Sequence, residues 1–258
     1  MIKNSCIFYL VNNNQIHINR LFDSLDCLVA NFIPNNPYKV VFGYEHLDDN
    51  IIQQIKQRSP KDHYFHKLNF TLPEYPESIK SQIPLKFKGN WDENAYFSLG
   101  YRHMCRYFAG EIFKDPLFDN VKYLLRLDCD SYFTAPVNYD IFEYMHLHQF
   151  EYASIGQSNN EEEYVINGLK DHLQNMFGPH YRIPSMKSMY ETNFELVSFQ
   201  RFKGKDYMDL YNNIDATGNI YINRWGDAPI KYHLVNYLLP DNKIHIFDLP
   251  YKHGGSLK

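Results

Sequence analysis

Two acidic residues stand directly behind an apolar stretch of the chain. Residues 123–127 read Tyr-Leu-Leu-Arg-Leu, and Asp128 and Asp130 follow at a spacing of two. Because residues two apart on a β-strand point to the same side, both carboxylates can face one ligand. Carboxylate oxygens bind hard divalent cations, and open α/β sheets bind ligands beyond the carboxyl ends of their strands. The pattern favours a metal that bridges the two phosphates of a nucleotide-sugar and stabilises the departing diphosphate.

The Asp-x-Asp segment also has a second interpretation. It is short, and without supporting context such a segment is more often a solvated turn. The surrounding elements and the other motifs of the chain therefore decide between a metal-dependent glycosyltransferase of the DxD type and an ordinary loop.

The composition is that of an ordinary globular protein. The 258 residues suffice for one large domain or two small ones, and 44% hydrophobic with 22% charged residues argues against disorder. The net charge of −4 provides no basic surface, so no nucleic-acid partner is expected. No apolar run approaches the ~20 residues of a membrane-spanning helix, and the first residues carry no signal-peptide pattern. We expect a cytoplasmic or otherwise soluble chain, or a Golgi-lumenal one if the natural protein is longer.

The cysteines follow no metal-binding or redox pattern. None of the four stands in a Cys-x-x-Cys pair, although two disulfides are conceivable. We expect burial as free thiols for all of them, namely Cys6, Cys27, Cys105 and Cys129.

Strands and helices alternate in the first part of the chain. An apolar strand at residues 7–11 precedes a helical pattern over 16–32. A second strand at 38–43 precedes a short helix through Ile52 and Ile55. Such β-α-β-α alternation predicts a mostly parallel sheet with right-handed crossovers.

The remainder of the chain continues this alternation less regularly. Residues 71–94 contain three prolines and are expected to form a surface loop or a short irregular helix. Because no repeat or linker interrupts the pattern, we predict one α/β domain over 1–258, with a nucleotide-binding half at about 7–130 and an acceptor or catalytic half at 131–258. The later elements expected are helices at 96–113, 141–148, 204–213 and 229–239, a solvated helix start at 161–163, and strands ending at Asp128 and at 151–155, 194–199 and 244–249.

Three further motifs accompany the acidic pair. Residues 101–107 read Tyr-Arg-His-Met-Cys-Arg-Tyr, residues 192–196 read Thr-Asn-Phe-Glu-Leu, and residues 223–229 read Asn-Arg-Trp-Gly-Asp-Ala-Pro, with His253 following later. With these motifs in this order, the chain resembles glycosyltransferase family 15, the fungal Golgi α-1,2-mannosyltransferases. The resemblance implies a GT-A-like fold, in which helices flank a Rossmann-like mixed sheet. It also implies GDP-mannose as donor, Mn²⁺ or alternatively Mg²⁺ as metal, and retaining transfer to a 2-hydroxyl of a mannoside or glycan acceptor.

Two departures from the family pattern concern the donor side and the chain ends. Where the family has Leu-Val-Arg-Asn at the first strand, this chain has Leu-Val-Asn-Asn at residues 10–13. Asn12 thus replaces a donor-side arginine, which leaves other nucleotides open beside GDP. The family's membrane anchor and stalk have no counterpart in the sequence.

The resemblance implies three metal ligands. Asp130 is the expected direct ligand, because the second acid stands at the very end of the strand in this fold. Asp128 acts directly, through a water, or on the donor ribose. His253 supplies an imidazole nitrogen, which Mn²⁺ accepts beside oxygen ligands. The alternative for His253 is a place in a flexible chain end.

The resemblance also implies three residues near the reacting sugar. Glu195 is expected below the anomeric carbon, where a carboxylate attacks or stabilises oxocarbenium charge. Its alternative is a strand residue in a salt bridge. Asp227 is expected to accept hydrogen bonds from mannose or to act as a base for the acceptor. Tyr101 is expected to hydrogen-bond the diphosphate or the sugar.

Two arginines and a tryptophan lie within the same motifs. Arg102 and Arg106 stand four apart on one helical face and are expected to meet phosphate together. Alternatively, one of them pairs with Asp128 as part of the scaffold. Trp225 is either a platform for a sugar or a buried core residue.

Three rival functions agree with parts of the sequence. They are a glycosyltransferase for another nucleotide-sugar, a catalytically silent protein that binds glycans or nucleotide-sugars, and a metal-dependent phosphoesterase that uses Asp128 and Asp130. The additional acids Glu195 and Asp227 argue against the silent protein. The motif at 223–229 has no evident use in the hydrolysis of a simple phosphoester.

Overall fold

The computed structural model describes residues 2–88, 96–178 and 185–255. Its strands are β1 Cys6–Val11, β2 Lys39–Tyr44, β3 His63–Lys67, β4 Phe87–Lys88, β5 Tyr96–Phe97, β6 Tyr123–Leu127, β7 Ser131–Phe133, β8 Tyr152–Ser154, β9 Gln157–Ser158, β10 Met189–Tyr190, β11 Phe194–Ser198, β12 Ile244–Ile246 and β13 Tyr251–His253. Its α-helices are α1 Gln15–Cys27, α2 Asp49–Arg58, α3 Glu77–Lys80, α4 Leu99–Ala109, α5 Ile141–Leu147, α6 Leu169–Phe177, α7 Phe199–Lys203, α8 Lys205–Asp215, α9 Asn219–Ile222 and α10 Asp227–Leu238.

A mixed sheet of seven strands forms the centre of the described structure, in the order β12-β8-β11-β6-β1-β2-β3. β1 runs parallel to both β2 and β6, and β2 runs parallel to β3. β11 is antiparallel to its neighbours β6 and β8. The predicted mostly parallel α/β sheet is therefore confirmed. The sheet draws strands from both predicted halves of the chain, and the division into halves stays a prediction.

Helices cover both faces of this sheet because its central strands are apolar on both sides. All five residues of β6 are buried. On β1, Ile7 and Tyr9 pack with Ile18 of α1, whereas Phe8 packs on the opposite face against Phe108 of α4. This packed centre fixes the backbone that leaves β1 and β6, which is where the acidic pair lies.

Helix α1 begins where the chain turns away from the end of β1. The Asn14 side chain accepts hydrogen bonds from the N–H groups of Ile16 and His17 and so caps the helix. A π-helical segment, Leu28–Phe32, follows α1 directly. Together they confirm the helical pattern predicted over 16–32. This path carries Arg20 to the carboxylate of Asp130.

Two short strands of the structure were not predicted. β3 lies at the edge of the sheet, where Tyr64 is 48% exposed, and edge exposure explains its polar sequence. β13 pairs antiparallel with β7 and places His253 opposite Ser131. His253 therefore belongs to a paired strand, and the alternative of a flexible chain end is wrong.

Helix α4 is shorter than the prediction over 96–113. It ends at Ala109, and Gly110 leads into a separate 3₁₀ turn, Glu111–Lys114. Gly110 is packed so closely that a Cβ atom there would lie 2.3 Å from the Tyr211 ring. Tertiary packing rather than helical periodicity thus sets the end of α4.

Three other predicted segments differ in extent. β12 ends at Ile246, before the predicted limit of 249. The acidic run at 161–163 leads into a 3₁₀ turn, Glu163–Val165, rather than an α-helix. α3 is the short helix expected within 71–94, of which residues 89–95 lie outside the described residues.

Two chemical expectations for the chain can be compared with the structure. All four cysteines are free thiols, as predicted. Burial raises the pKa of the Cys6 thiol to about 12, so this thiol stays protonated and unreactive. Among the described residues, no helix combines the length and apolar character needed to span a bilayer.

Candidate active site

A cavity of about 630 Å³ opens at the carboxyl ends of β1 and β6. Four of the predicted site residues line it, namely Asn12, Tyr101, Asp128 and Asp130. The volume falls in the range of small-molecule and cofactor sites. The position agrees with the rule that open α/β sheets bind ligands beyond the carboxyl ends of their strands. We refer to this cavity as the cleft.

The β7–β13 pair brings His253 to the acidic pair at the edge of the cleft. His253 Nε2 lies 3.2 Å from Asp130 Oδ1 and 3.8 Å from Asp128 Oδ2. The other oxygen of Asp130, Oδ2, accepts a hydrogen bond from Arg20 Nη1 at 3.1 Å. All three predicted metal ligands are thus adjacent, although Asp128 and His253 are separated by more than a hundred residues.

The charges of this group shift its ionisation. Burial works against a protonated His253, but the hydrogen bond with Asp130 and the charge of Asp128 outweigh it and raise the His253 pKa. The hydrogen bond with His253, aided by the charge of Arg20, lowers the pKa of Asp130 despite partial burial. Asp130 is therefore a carboxylate at neutral pH, as a metal ligand must be.

The spacing of these donor atoms fits a metal that needs further ligands from elsewhere. Two cis ligands at about 2.2 Å from an octahedral ion are about 3.1 Å apart, and His253 Nε2 and Asp130 Oδ1 are 3.2 Å apart. Among the described residues, no three His, Cys, Asp or Glu side chains are already arranged to hold a metal ion. The residues thus fit a cation whose coordination is completed by substrate phosphates and water.

Arg126 is a site residue that sequence reasoning missed. It is 3% exposed in β6, donates from Nη1 to Asp227 Oδ2 at 2.5 Å and from Nη2 to Asp128 Oδ1 at 3.2 Å. Its guanidinium stacks 3.6 Å above the Phe108 ring. The available signal was an arginine inside an otherwise apolar strand, because a buried guanidinium requires carboxylate partners. Arg126, rather than Arg102 or Arg106, is the scaffold partner of Asp128.

Asp227 lies beneath the cleft at the start of α10. It is 6% exposed, and its Oδ2 accepts from Arg126 and from Thr192 Oγ1 at 3.3 Å. Burial opposes its ionisation, but the Arg126 charge and hydrogen bond keep the Asp227 pKa below its ordinary value. An ionised, paired carboxylate is a weak base, so the role of Asp227 as a base for the acceptor stays a prediction.

Glu195 occupies the salt-bridge position that was its alternative interpretation. It lies on β11 and is 4% exposed, with Lys231 Nζ 3.3 Å from its Oε1. Lys231 is 1% exposed, and burial lowers its pKa against the opposing charge of Glu195. The catalytic role of Glu195 stays a prediction, because this pair separates its carboxylate from the cleft.

Tyr101 lines the cleft from α4, and its hydroxyl is fixed by a second residue missed from the sequence. Arg224 Nη2 donates to the Tyr101 hydroxyl at 2.9 Å, and the Arg224 guanidinium lies 3.6 Å above the Phe97 ring. Arg224 has φ of 54°, a left-handed conformation that few non-glycine residues adopt. Such strain is typical of functional sites, where it positions a side chain.

Arg102 and Arg106 contradict the predicted joint contact with phosphate. Arg102 is completely buried and donates to backbone carbonyls, including that of Tyr221 at 2.6 Å. Arg106 forms a two-point ion pair with Asp215 at 2.7 and 2.8 Å. Their spacing of four does place both on α4, but their guanidinium groups are committed to the scaffold and do not line the cleft.

Asn12 and Trp225 differ in their relation to the cleft. Asn12 is exposed and lines it, with Nδ2 at 2.7 Å from His17 Nδ1 and Oδ1 accepting from the Asn14 N–H. Trp225 is 1% exposed and donates from Nε1 to the Asn167 carbonyl at 2.7 Å. Asn12 is therefore placed as the donor side requires, whereas Trp225 is a core residue and not a sugar platform.

Proteins with sequence similarity to this chain are fungal mannosyltransferases. The family model described as glycolipid 2-alpha-mannosyltransferase matches residues 2–258. The probable mannosyltransferase KTR3 of Saccharomyces cerevisiae is 27% identical over 209 residues, which cover 73% of this chain and 49% of that protein. The probable mannosyltransferase MNT3 of Candida albicans is 28% identical over 200 residues, covering 70% and 53%. The chain spans about half the length of these curated relatives.

Solved structures of two fungal enzymes share the fold. Core-mannan synthase A (CmsA/Ktr4) of Aspergillus fumigatus, in its Mn/GDP form, superposes with a TM-score of 0.83 at 20% identity, covering 98% of this chain and 75% of that one. Ktr4p of Saccharomyces cerevisiae in complex with GDP gives a TM-score of 0.80 at 21% identity, covering 97% and 71%. At these identities the likeness shows the fold, and the predicted GT-A-like fold is confirmed.

The motifs at 101–107, 192–196 and 223–229 and the acidic pair therefore belong to one inherited framework. The family match extends over nearly the whole chain, and the fold agrees with it. The chain belongs to glycosyltransferase family 15, the glycolipid 2-alpha-mannosyltransferase family.

Proposed function

We propose that this chain is a metal-dependent retaining mannosyltransferase. It transfers mannose from GDP-mannose to a sugar hydroxyl and forms an α-1,2 linkage on a mannose-containing acceptor. The observation that carries the proposal is the adjacency of His253, Asp130 and Asp128 at the cleft edge, in a chain of this family. The related Aspergillus fumigatus enzyme is named as a Mn/GDP form, which supports the same metal and nucleotide here.

Asp130 and His253 are the proposed protein ligands of Mn²⁺. Their donor atoms have the separation of cis ligands, and Asp128 Oδ2 lies on the same side. A bound Mn²⁺ supplies positive charge that stabilises the departing diphosphate. Asp128 is proposed to act through a water or on the ribose, because Arg126 engages its other oxygen.

The reacting sugar is proposed to lie between Tyr101 and the acids. The Tyr101 hydroxyl, fixed by Arg224, is available to hydrogen-bond the sugar or a phosphate. Asp227 and Glu195 provide negative charge beneath the site, which favours an oxocarbenium-like transition state. For Glu195 to reach the anomeric carbon, its pair with Lys231 must open. We assign these roles within one domain that comprises the whole chain.

A donor screen with analysis of the product tests this proposal. The chain is incubated with Mn²⁺, mannose or methyl α-mannoside, and either GDP-mannose or a UDP- or GDP-linked alternative sugar. We expect transfer from GDP-mannose and an α-1,2-linked product by NMR. A β-linked product would exclude retention. Transfer from another donor alone would favour the alternative nucleotide-sugar, which the replacement of arginine by Asn12 makes the main competing candidate.

A further inference from the structure

The cleft contains very little permanent positive charge. Among the described residues that line it, Arg20 is the only lysine or arginine. Asp128, Asp130 and Glu45 contribute carboxylates to the same lining. A nucleoside diphosphate adds two further negative charges, so its binding here needs a cation besides the metal.

Arg20 is held in a defined position within this acidic lining. Its Nη1 donates to Asp130 Oδ2 at 3.1 Å, while Asp130 Oδ1 faces His253. The Arg20 side chain is 37% exposed, so its guanidinium borders the open space of the cleft. A guanidinium has five N–H donors in a planar fork, and the contact with Asp130 engages one nitrogen.

We propose that Arg20 binds the diphosphate of the donor, with Asp130 holding its guanidinium in place. This inference rests on the proposed function, since it assigns a residue to the donor of that reaction. Arginine matches the geometry of phosphate oxygens better than a point charge does. Because Asp130 already restrains the side chain, less conformational freedom is lost when the donor binds. Asp130 thus serves the metal through Oδ1 and the phosphate-binding arginine through Oδ2.

The test compares the binding of GDP with that of guanosine, which lacks phosphates. Isothermal titration is performed with and without Mn²⁺ on wild type, Arg20→Met, Arg20→Lys and Arg58→Met. Arg58 is the matched control, because it also pairs with an aspartate of α1, Asp26, at 2.9 Å, but lies outside the cleft. We expect Arg20→Met to weaken GDP binding about 10- to 100-fold, the effect of a lost charged hydrogen bond, and to leave guanosine binding unchanged.

The two remaining variants sharpen the result. Arg58→Met should bind GDP as wild type does, and Arg20→Lys should lie between wild type and Arg20→Met, because it keeps the charge but loses the fork. Unchanged GDP affinity in Arg20→Met would overturn the inference. An equal loss for GDP and guanosine would also overturn it, since that result indicates a structural role. Circular dichroism of each variant identifies a loss of folding.

The failure of the proposed donor can be told apart from the failure of this inference. If wild type binds another nucleoside diphosphate more tightly than GDP, GDP-mannose is the wrong donor. The same comparison of diphosphate with nucleoside is then made with that base. A selective loss of diphosphate affinity in Arg20→Met would still support the phosphate contact, and no selective loss would refute it.

Discussion

The charged residues of this protein fall into two regions that behave differently. In the cleft, Asp130, His253 and Arg20 are partly exposed, with 19%, 40% and 37% of their side chains accessible. Beneath it, a buried charge network pairs Arg126 with Asp227 and Lys231 with Glu195. All four residues of this network are less than 5% exposed except Asp227, at 6%.

The contrast teaches which charges are free to exchange partners. A partly exposed ion pair is worth little and can open when a ligand arrives. A buried pair leaves an uncompensated charge when it is broken, so its members stay together. Asp128 connects the two regions, because one oxygen meets Arg126 and the other faces His253. We infer that the cleft binds ligands and that the network supports its floor.

The largest expected effect is the loss of a cleft residue that holds the metal. Asp130→Ala should lower Mn²⁺-dependent transfer on the order of 10³-fold, since the metal supplies several kcal/mol of charge stabilisation. Its thermal stability should change little, because the site is partly exposed. Initial rates and a melting curve measure both quantities. Near-normal transfer in this variant would remove Asp130 from the metal site.

A break in the buried network should instead appear as instability. Asp227→Ala leaves Arg126 without its buried partner and should lower the free energy of unfolding by about 3–5 kcal/mol. Asp206→Ala is the control, because Asp206 pairs with Arg201 at a 52% exposed position, where about 0–1 kcal/mol is expected. Urea unfolding measures both. Equal costs for the two variants would erase the distinction between the regions.

The closed region should also make stability depend on pH. Burial lowers the pKa of His233, which is completely buried in α10, to about 4 from the usual 6.5. Between these values the unfolded chain binds a proton that the folded chain does not, so stability falls as pH falls from about 6.5 to 4. The loss is on the order of 3 kcal/mol.

Urea unfolding across this pH range measures the slope. His233→Gln should flatten it, whereas the exposed His146→Gln should leave it intact. A slope that is unchanged in His233→Gln would show that this histidine does not carry the pH dependence.

The smallest effect concerns the edge of the cleft. Asn12→Ala should weaken GDP binding about 2- to 10-fold, the value of one neutral hydrogen bond. Gln15→Ala is the control, since Gln15 is exposed on α1 and bonds to Asn19 outside the cleft. Titration calorimetry measures both. Identical affinities in the two variants would place the base of the donor elsewhere.

The sequence predicted the elements that carry the cleft because their apolar patterns are strong and local. The strand at 7–11, the helical pattern over 16–32 and the strand before Asp128 all lie where they were expected. Position behind a buried strand also sufficed to predict that Asp128 and Asp130 face a ligand site.

The pairing of charges could not be predicted in the same way. The spacing of Arg102 and Arg106 indicates a helical face but not what packs against it, and both meet scaffold groups. Arg126 and Asp227 are 101 residues apart and meet only in the folded chain. His253 reaches the acids because β13 pairs with β7, a three-residue contact too short to predict from periodicity.

The most direct test of the account is a Mn²⁺ titration followed by electron paramagnetic resonance, in the presence of GDP. We predict that wild type removes the signal of free Mn²⁺ at one equivalent, and that Asp130→Asn and His253→Ala each lose most of this binding. Arg58→Met, with an altered ion pair outside the cleft, should titrate as wild type does. Equal Mn²⁺ binding by wild type and by both cleft variants would contradict the assignment of this cleft as the metal-dependent donor site.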